Sequence, residues 1–131
     1  MRLEFTIPLP PITKKNHSRI ITAHGRPMII PSKQYTDYEK ECALFIPRLD
    51  EPIKDPVNIK ATFYKPTRRA CDLTNHLQAL DDILVKYKVI ADDNRNVVYS
   101  VDGSRVLYDK NNPRTEVIIT AVPEEEFESW E

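Results

Sequence analysis

Two groups of carboxylates flank a single apolar helical pattern. Asp72 lies in Cys71-Asp72-Leu73-Thr74-Asn75, and Asp92-Asp93-Asn94 follows twenty residues later. Lys65, Arg68 and Arg69 stand just before the first group. Carboxylates brought together repel one another unless a divalent cation sits between them. Oxygen-only ligands beside lysines and arginines point to Mg²⁺ or Mn²⁺ acting on a phosphodiester. A helix of about 14 residues is roughly 21 Å long. The two groups therefore meet only if the chain after the helix turns back toward its start.

Each acid has a plainer reading beside the chemical one. Asp72 at a strand-to-helix junction is also a favoured N-cap. Asp92-Asp93 taken alone is also a solvated turn. Asp82 is ten helical residues beyond Asp72, about 15 Å along the axis, so the two cannot share an ion on one straight helix. It holds the returning loop, faces another subunit, or is simply solvated. Asn75, one turn from Asp72, is either a weak ligand or a donor that orients the carboxylate.

The surrounding pattern supplies the elements that would position these groups. Residues 2–7 alternate Leu3, Phe5 and Ile7 with polar neighbours, a strand ended by Pro8-Leu9-Pro10-Pro11. A basic loop, Thr13-Lys14-Lys15-Asn16-His17-Ser18-Arg19, leads to a short hairpin around Ala23-His24-Gly25-Arg26. Ser32 is a plausible N-cap for a helix running to about Ile46, with Tyr35, Tyr38, Cys42 and Phe45 on one face. Residues 57–65 alternate strictly and form the clearest strand. The second helix, capped by Asp72 or Thr74, presents Leu77, Leu80, Leu84 and Tyr87. Residues 97–101 and 105–108 are strand-like around Asp102-Gly103-Ser104, and residues 114–122 form a final strand. The expected fold class is α+β, a mostly antiparallel sheet with two main helices packed on it.

Bulk properties narrow the function. The chain has 131 residues, 40% of them hydrophobic, which suits one domain with a real core. No run approaches the ~18 apolar residues of a membrane helix, and Met1 to Phe5 lacks the apolar block of a signal peptide. Two cysteines, Cys42 and Cys71, fit a reducing cytoplasm rather than a disulfide framework. Only two glycines are present, against eleven prolines, which excludes Gly-rich phosphate loops. The net charge of −1 conceals an asymmetry. Glu124, Glu125, Glu126, Glu128 and Glu131 crowd the last eleven residues, leaving 19 bases against 15 acids in the rest. A globular unit over 1–122 with an acidic tail over 123–131 is the expectation. The tail is solvated, or it mimics nucleic acid, or it docks a partner through Phe127 and Trp130.

The pattern Asp72-Leu73-Thr74-Asn75, then Asp82-Ile83-Leu84, then Asp92-Asp93 resembles the RusA family of Holliday junction resolvases. Phe5-Thr6-Ile7-Pro8-Leu9-Pro10-Pro11, with Asn16 after it, resembles that family's opening strand and proline turn. The resemblance extends to about Val122. It implies a small homodimeric, Mg²⁺- or Mn²⁺-dependent endonuclease, often carried by prophages, that cuts branched DNA in recombination and repair. It implies no organic cofactor and no membrane partner. The family's first essential aspartate falls on Asp72, and its aspartate after the helix falls on Asp93 beside Asp92. Its second acid falls on Thr74 and its helical lysine on Gln78, so this chain departs from the pattern at both positions. Asp72 and Asp93 are the implied catalytic and metal-holding residues, with Asp92 a further ligand and Thr74, Asn75 and Asp82 in supporting roles. Lys14, Lys15, Arg19, Arg68, Arg69 and Arg105 are candidates to hold the DNA backbone. A junction-binding protein that has lost cleavage, and a metal-dependent nuclease acting on another branched DNA or RNA, are the competing readings.

Overall fold

The computed structural model describes residues 1–14 and 18–131, with Ser18, Arg19 and Pro31 described by their backbone alone. Strands β1 (Arg2–Ile7), β4 (Val57–Lys65) and β7 (Arg114–Ala121) form the centre of the main sheet. β7 lies between the other two and runs antiparallel to both. The period of two that makes β4 legible also builds the core. Val57, Ile59, Ala61 and Phe63 point to one face, where they meet Val117 and Ile119 of β7 and Ile7 of β1, all buried.

β5 (Val98–Ser100) and β6 (Arg105–Tyr108) lie successively along the other edge of β4, and both run parallel to it. The sheet is thus mostly antiparallel, as expected, with a parallel edge. A parallel neighbour needs a long crossover, and α2 (Leu73–Lys86) supplies it. Side chains stitch the break between β5 and β6 to β4. Asn58 Oδ1 accepts from Ser100 Oγ at 2.6 Å and from the Asp102 backbone N–H at 2.8 Å. Ser104 Oγ donates to the Ile59 carbonyl at 3.1 Å and accepts from the Ala61 N–H at 3.0 Å.

Helix α1 (Lys33–Cys42) starts as expected, with Ser32 Oγ accepting from the Tyr35 N–H at 3.2 Å. It ends four residues before Ile46. The N–H groups of Leu44 and Phe45 bond three residues back, to Glu41 and Cys42, so the chain tightens into turns before Pro47. Phe45 is consequently exposed rather than on the packed face. In α2 the buried stripe is His76, Ala79, Leu80, Ile83 and Leu84. Leu80 and Leu84 were expected there. Leu77 and Tyr87 are only half-buried, because the stripe turns toward His76 and Ile83. Truncating Leu84, which is fully buried, would cost about 2–5 kcal/mol.

The end of α2 decides where the second acidic group goes. Lys88 has φ 60°, a left-handed conformation usually left to glycine or asparagine. The Val89 N–H bonds to the Leu84 carbonyl at 2.9 Å and the Lys88 N–H to that of Val85 at 3.1 Å. This reversal buries Val89 against Leu84, and Ile53 then pins the chain by bridging Ile90. The remaining strands, β2 (Ser18–Ala23) and β3 (Arg26–Pro31), form a separate two-stranded ribbon with Ile20 and Ile29 exposed. A short 3-10 turn, Glu124–Glu126, follows β7.

Candidate active site

Asp72 occupies the N-cap position of α2 but makes no side-chain bond to the helix backbone. Its carboxylate is exposed and accepts from Asn75 Nδ2 at 3.2 Å. The acid is therefore oriented by Asn75 and otherwise available, at the helix end where the backbone dipole favours negative charge. Thr74 is exposed one residue into the helix. Just upstream, Lys65 Nζ donates to the Pro11 carbonyl at 2.6 Å, tying the proline turn to the end of β4. The guanidinium of Arg68 lies 4.6 Å from the ring centre of Tyr108, and Arg69 is exposed. Beneath this loop His76 is buried, 5.1 Å from the Phe63 ring. Burial, then the charge of Lys65, lowers its pKa to about 4, so it is neutral near pH 7.

A different set of acids gathers near the other end of α2. Asp82 and Asp93 line an open cavity of about 430 Å³ with Lys14, Tyr35, Glu39 and Lys86. Lys14 Nζ is 3.6 Å from Asp82 Oδ2. Lys86 is paired with Glu39 across the helices. Asp81, on the same helix, is pushed up to about 7 by burial, then by the charges of Asp93 and Asp82. Its Oδ1 is buried without a hydrogen-bond partner.

The two adjacent aspartates of the turn differ. Asp92 Oδ1 accepts from the Asp93 N–H at 2.7 Å, and such bonds hold its carboxyl below the usual range. Asp93 is raised, first by burial and then by Asp92. Asp92 closes the turn through Oδ1, and Asp93 is the acid that lines the cavity.

The reversal after α2 thus brings Asp93 to Asp81 and Asp82. Asp81 and Asp82 are nine and ten helical residues beyond Asp72, about 14–15 Å along the axis. Among the described residues, no three His, Cys, Asp or Glu side chains are arranged to hold a metal ion. The donor chemistry suits a hard cation: carboxylate oxygens, mutual repulsion and an orphaned Asp81 oxygen.

Of the expected DNA contacts, Lys14 is at the acidic cavity, Arg68 and Arg69 are beside Asp72, and Arg105 is exposed on β6. Lys15, with Asn16 and His17, lies outside the described residues, and Arg19 is placed only as a β2 residue paired with Ile30. Sequence reasoning missed the coupling of Asp81 to Asp93, because a reversal that follows a non-glycine residue carries little signal. It also missed Arg95, whose guanidinium is packed by the C-terminal segment.

The family model for Endodeoxyribonuclease RusA matches residues 8–120. No curated protein matches the chain.

Proposed function

The chain belongs to the Endodeoxyribonuclease RusA family, and we propose that it is a divalent-metal-dependent endonuclease that resolves four-way DNA junctions. Membership of this family implies a Holliday-junction-resolving endonuclease acting on branched DNA. The observation that carries the reading is the match itself, which spans both Asp72 and Asp93. No helix among the described residues is long and apolar enough to cross a membrane. A cytoplasmic role in recombination and repair, performed by the unit over 1–122, fits this reading.

Asp72 and Asp93 are assigned to hold Mg²⁺ or Mn²⁺, with Asp82 beside Asp93. When bound, the ion would polarise a phosphoryl oxygen and lower the pKa of an attacking water. The chain's own residues do the rest. Asn75 fixes the Asp72 carboxylate, and Asp92 holds the turn so that Asp93 stays presented. Arg68 and Arg69 deliver a phosphate next to Asp72, with Lys14, Lys15, Arg19 and Arg105 as further backbone contacts. Because Asp93 shares its cavity with Asp82, ten helical residues beyond Asp72, the proposed site is completed by a second copy of the chain. Asp72 of one copy meets Asp93 of the other. A two-fold dimer then has two such sites, as paired cuts across a branch point require.

The test is cleavage of a synthetic four-way junction against linear duplex, with Mg²⁺ and with EDTA. Mg²⁺-dependent cutting of the junction alone supports the reading. Equal cutting of flap or RNA substrates would reassign the substrate. Thr74 and Gln78 favour a second reading, a junction-binding protein without turnover, since they replace an acid and a lysine of the family pattern. Thr74→Asp separates the two: gained cleavage at low Mg²⁺ supports a weakened nuclease. An unchanged metal dependence means that another group fills that position.

A further inference from the structure

The acidic C-terminal segment is exposed in its carboxylates, and its rings gather over one cation. Arg95, two residues after Asp93, lies under three aromatic rings. Its Cζ is 3.8 Å from the ring centre of Trp130 and 5.2 Å from those of Phe127 and Tyr99. Its NH2 group donates to the Glu128 carbonyl at 2.6 Å. Tyr99 Oη in turn donates to the Glu126 carbonyl at 3.2 Å and accepts from the Glu128 N–H at 3.1 Å. The Val122 N–H bonds to the Pro56 carbonyl at 3.0 Å, which sets the direction in which the segment leaves β7. Among the described residues, none of the five glutamates of this segment forms an ion pair. The docking is therefore made by rings and main chain, so charge repulsion alone does not describe the segment.

Arg95 is rooted in the turn that presents Asp93. That turn is closed by two short bonds of its own, Asp92 Oδ1 to the Asp93 N–H and Asn94 Oδ1 to the Asn96 N–H at 2.9 Å. Its flanks are tied to the sheet side by main chain, the Ala91 N–H to the Ile53 carbonyl at 2.9 Å and the Val57 N–H to the Val97 carbonyl at 2.8 Å, while residues 92–96 between them have no such bond to a distant main-chain group among the described residues. Arg95 is its long side chain held by a distant part of the chain.

We infer that residues 123–131 are a strap that cages Arg95 and so holds the Asp92–Asp93 turn in the position from which Asp93 acts, making Arg95 and Trp130 positioning residues for metal-dependent cleavage. The inference rests on the functional reading above. Its mechanism is separate from DNA binding: the strap acts on the placement of Asp93, and removing it lowers the fraction of chains with that carboxylate aimed correctly. Partners that orient a metal-holding group typically matter by 10- to 100-fold in affinity or activity.

Trp130 is the chain's single tryptophan and is 73% exposed, so Trp130→Ala removes the lid of the cage without opening the core. The experiment compares intact chain, Trp130→Ala and Trp130→Phe by amide hydrogen exchange without metal or DNA, and by Mg²⁺ titration of junction cleavage. For Trp130→Ala we expect faster exchange at residues 92–96 and a Mg²⁺ half-saturation raised roughly tenfold. Junction affinity without metal should not weaken, and Trp130→Phe should restore both readouts. Unchanged exchange overturns the strap. Faster exchange with an unaltered Mg²⁺ requirement overturns its positioning role. If the intact chain cuts no junction, the functional reading falls instead, and the exchange result alone decides whether the cage holds the turn.

Discussion

The charge of Asp93 is the second contribution, after burial, that pushes the Asp81 carboxyl up to about 7. The pair is an electrostatic debt left inside the fold. In the folded chain Asp81 retains its proton well above its ordinary value of 3.8. The folded state therefore binds more protons than the unfolded state between about pH 4 and 7. Stability falls as pH rises through that window, and the full penalty applies above it.

Asp81→Asn should accordingly stabilise the metal-free protein at pH 8, and the gain should vanish toward pH 4. A shift of this size sets a ceiling of roughly 4 kcal/mol, and solvent screening at the cavity reduces it to about 1–2 kcal/mol. Urea unfolding at the two pH values checks this. An equal effect at both would mean that Asp81 does not titrate as the cavity demands.

Asp72→Asn and Asp93→Asn should each abolish Mg²⁺-dependent cleavage while leaving the fold intact, since both carboxylates are exposed. Mixed together and allowed to exchange subunits, the two inactive variants should regain nicking. In a mixed dimer one composite site carries both substitutions and the other carries neither. A site confined to one chain predicts no recovery, so nick formation on a labelled junction discriminates the two geometries.

Lys88→Gly should raise stability by about 1 kcal/mol, because a lysine at φ 60° bears the steric penalty that glycine avoids. The Val89-to-Leu84 and Lys88-to-Val85 backbone bonds survive the change. The expected result is a higher denaturation midpoint with an unaltered slope. A lower midpoint would show that the lysine side chain contributes more than its backbone conformation costs.

The strands and helices were legible where one face is buried and the other wet. The alternation in residues 57–65 and the spacing of Leu80 and Leu84 stated their own periods. The parallel orientation of β5 and β6 was not legible, because alternation is the same in either direction. Their attachment through Asn58 and Ser104 depends on side chains that read as ordinary polar residues. At the site, the residue types of Asp72 and Asp93 were legible, but the grouping of Asp93 with Asp82 was not. It is decided by a helix end built on Lys88 rather than glycine. The solvated-tail reading rested on five glutamates, whereas Phe127 and Trp130 dock because Arg95, remote in sequence, offers them a cation.

Truncation after Val122 should separate two effects of the same segment. The segment carries five glutamates and no base, so its loss should strengthen junction binding, most at low salt, where screening is weakest. It also uncages Arg95, so cleavage at limiting Mg²⁺ should fall even as affinity rises. Tighter binding with slower cutting is the expected signature, and neither electrostatic repulsion nor simple unfolding produces it. The measurement is junction affinity without metal at two salt concentrations, set beside single-turnover cleavage at low and saturating Mg²⁺. A sizing column fixes the oligomeric state of each sample. Affinity that falls at an unchanged oligomeric state would mean that the segment touches DNA, and a change of oligomeric state on truncation would place Phe127 or Trp130 at a subunit interface.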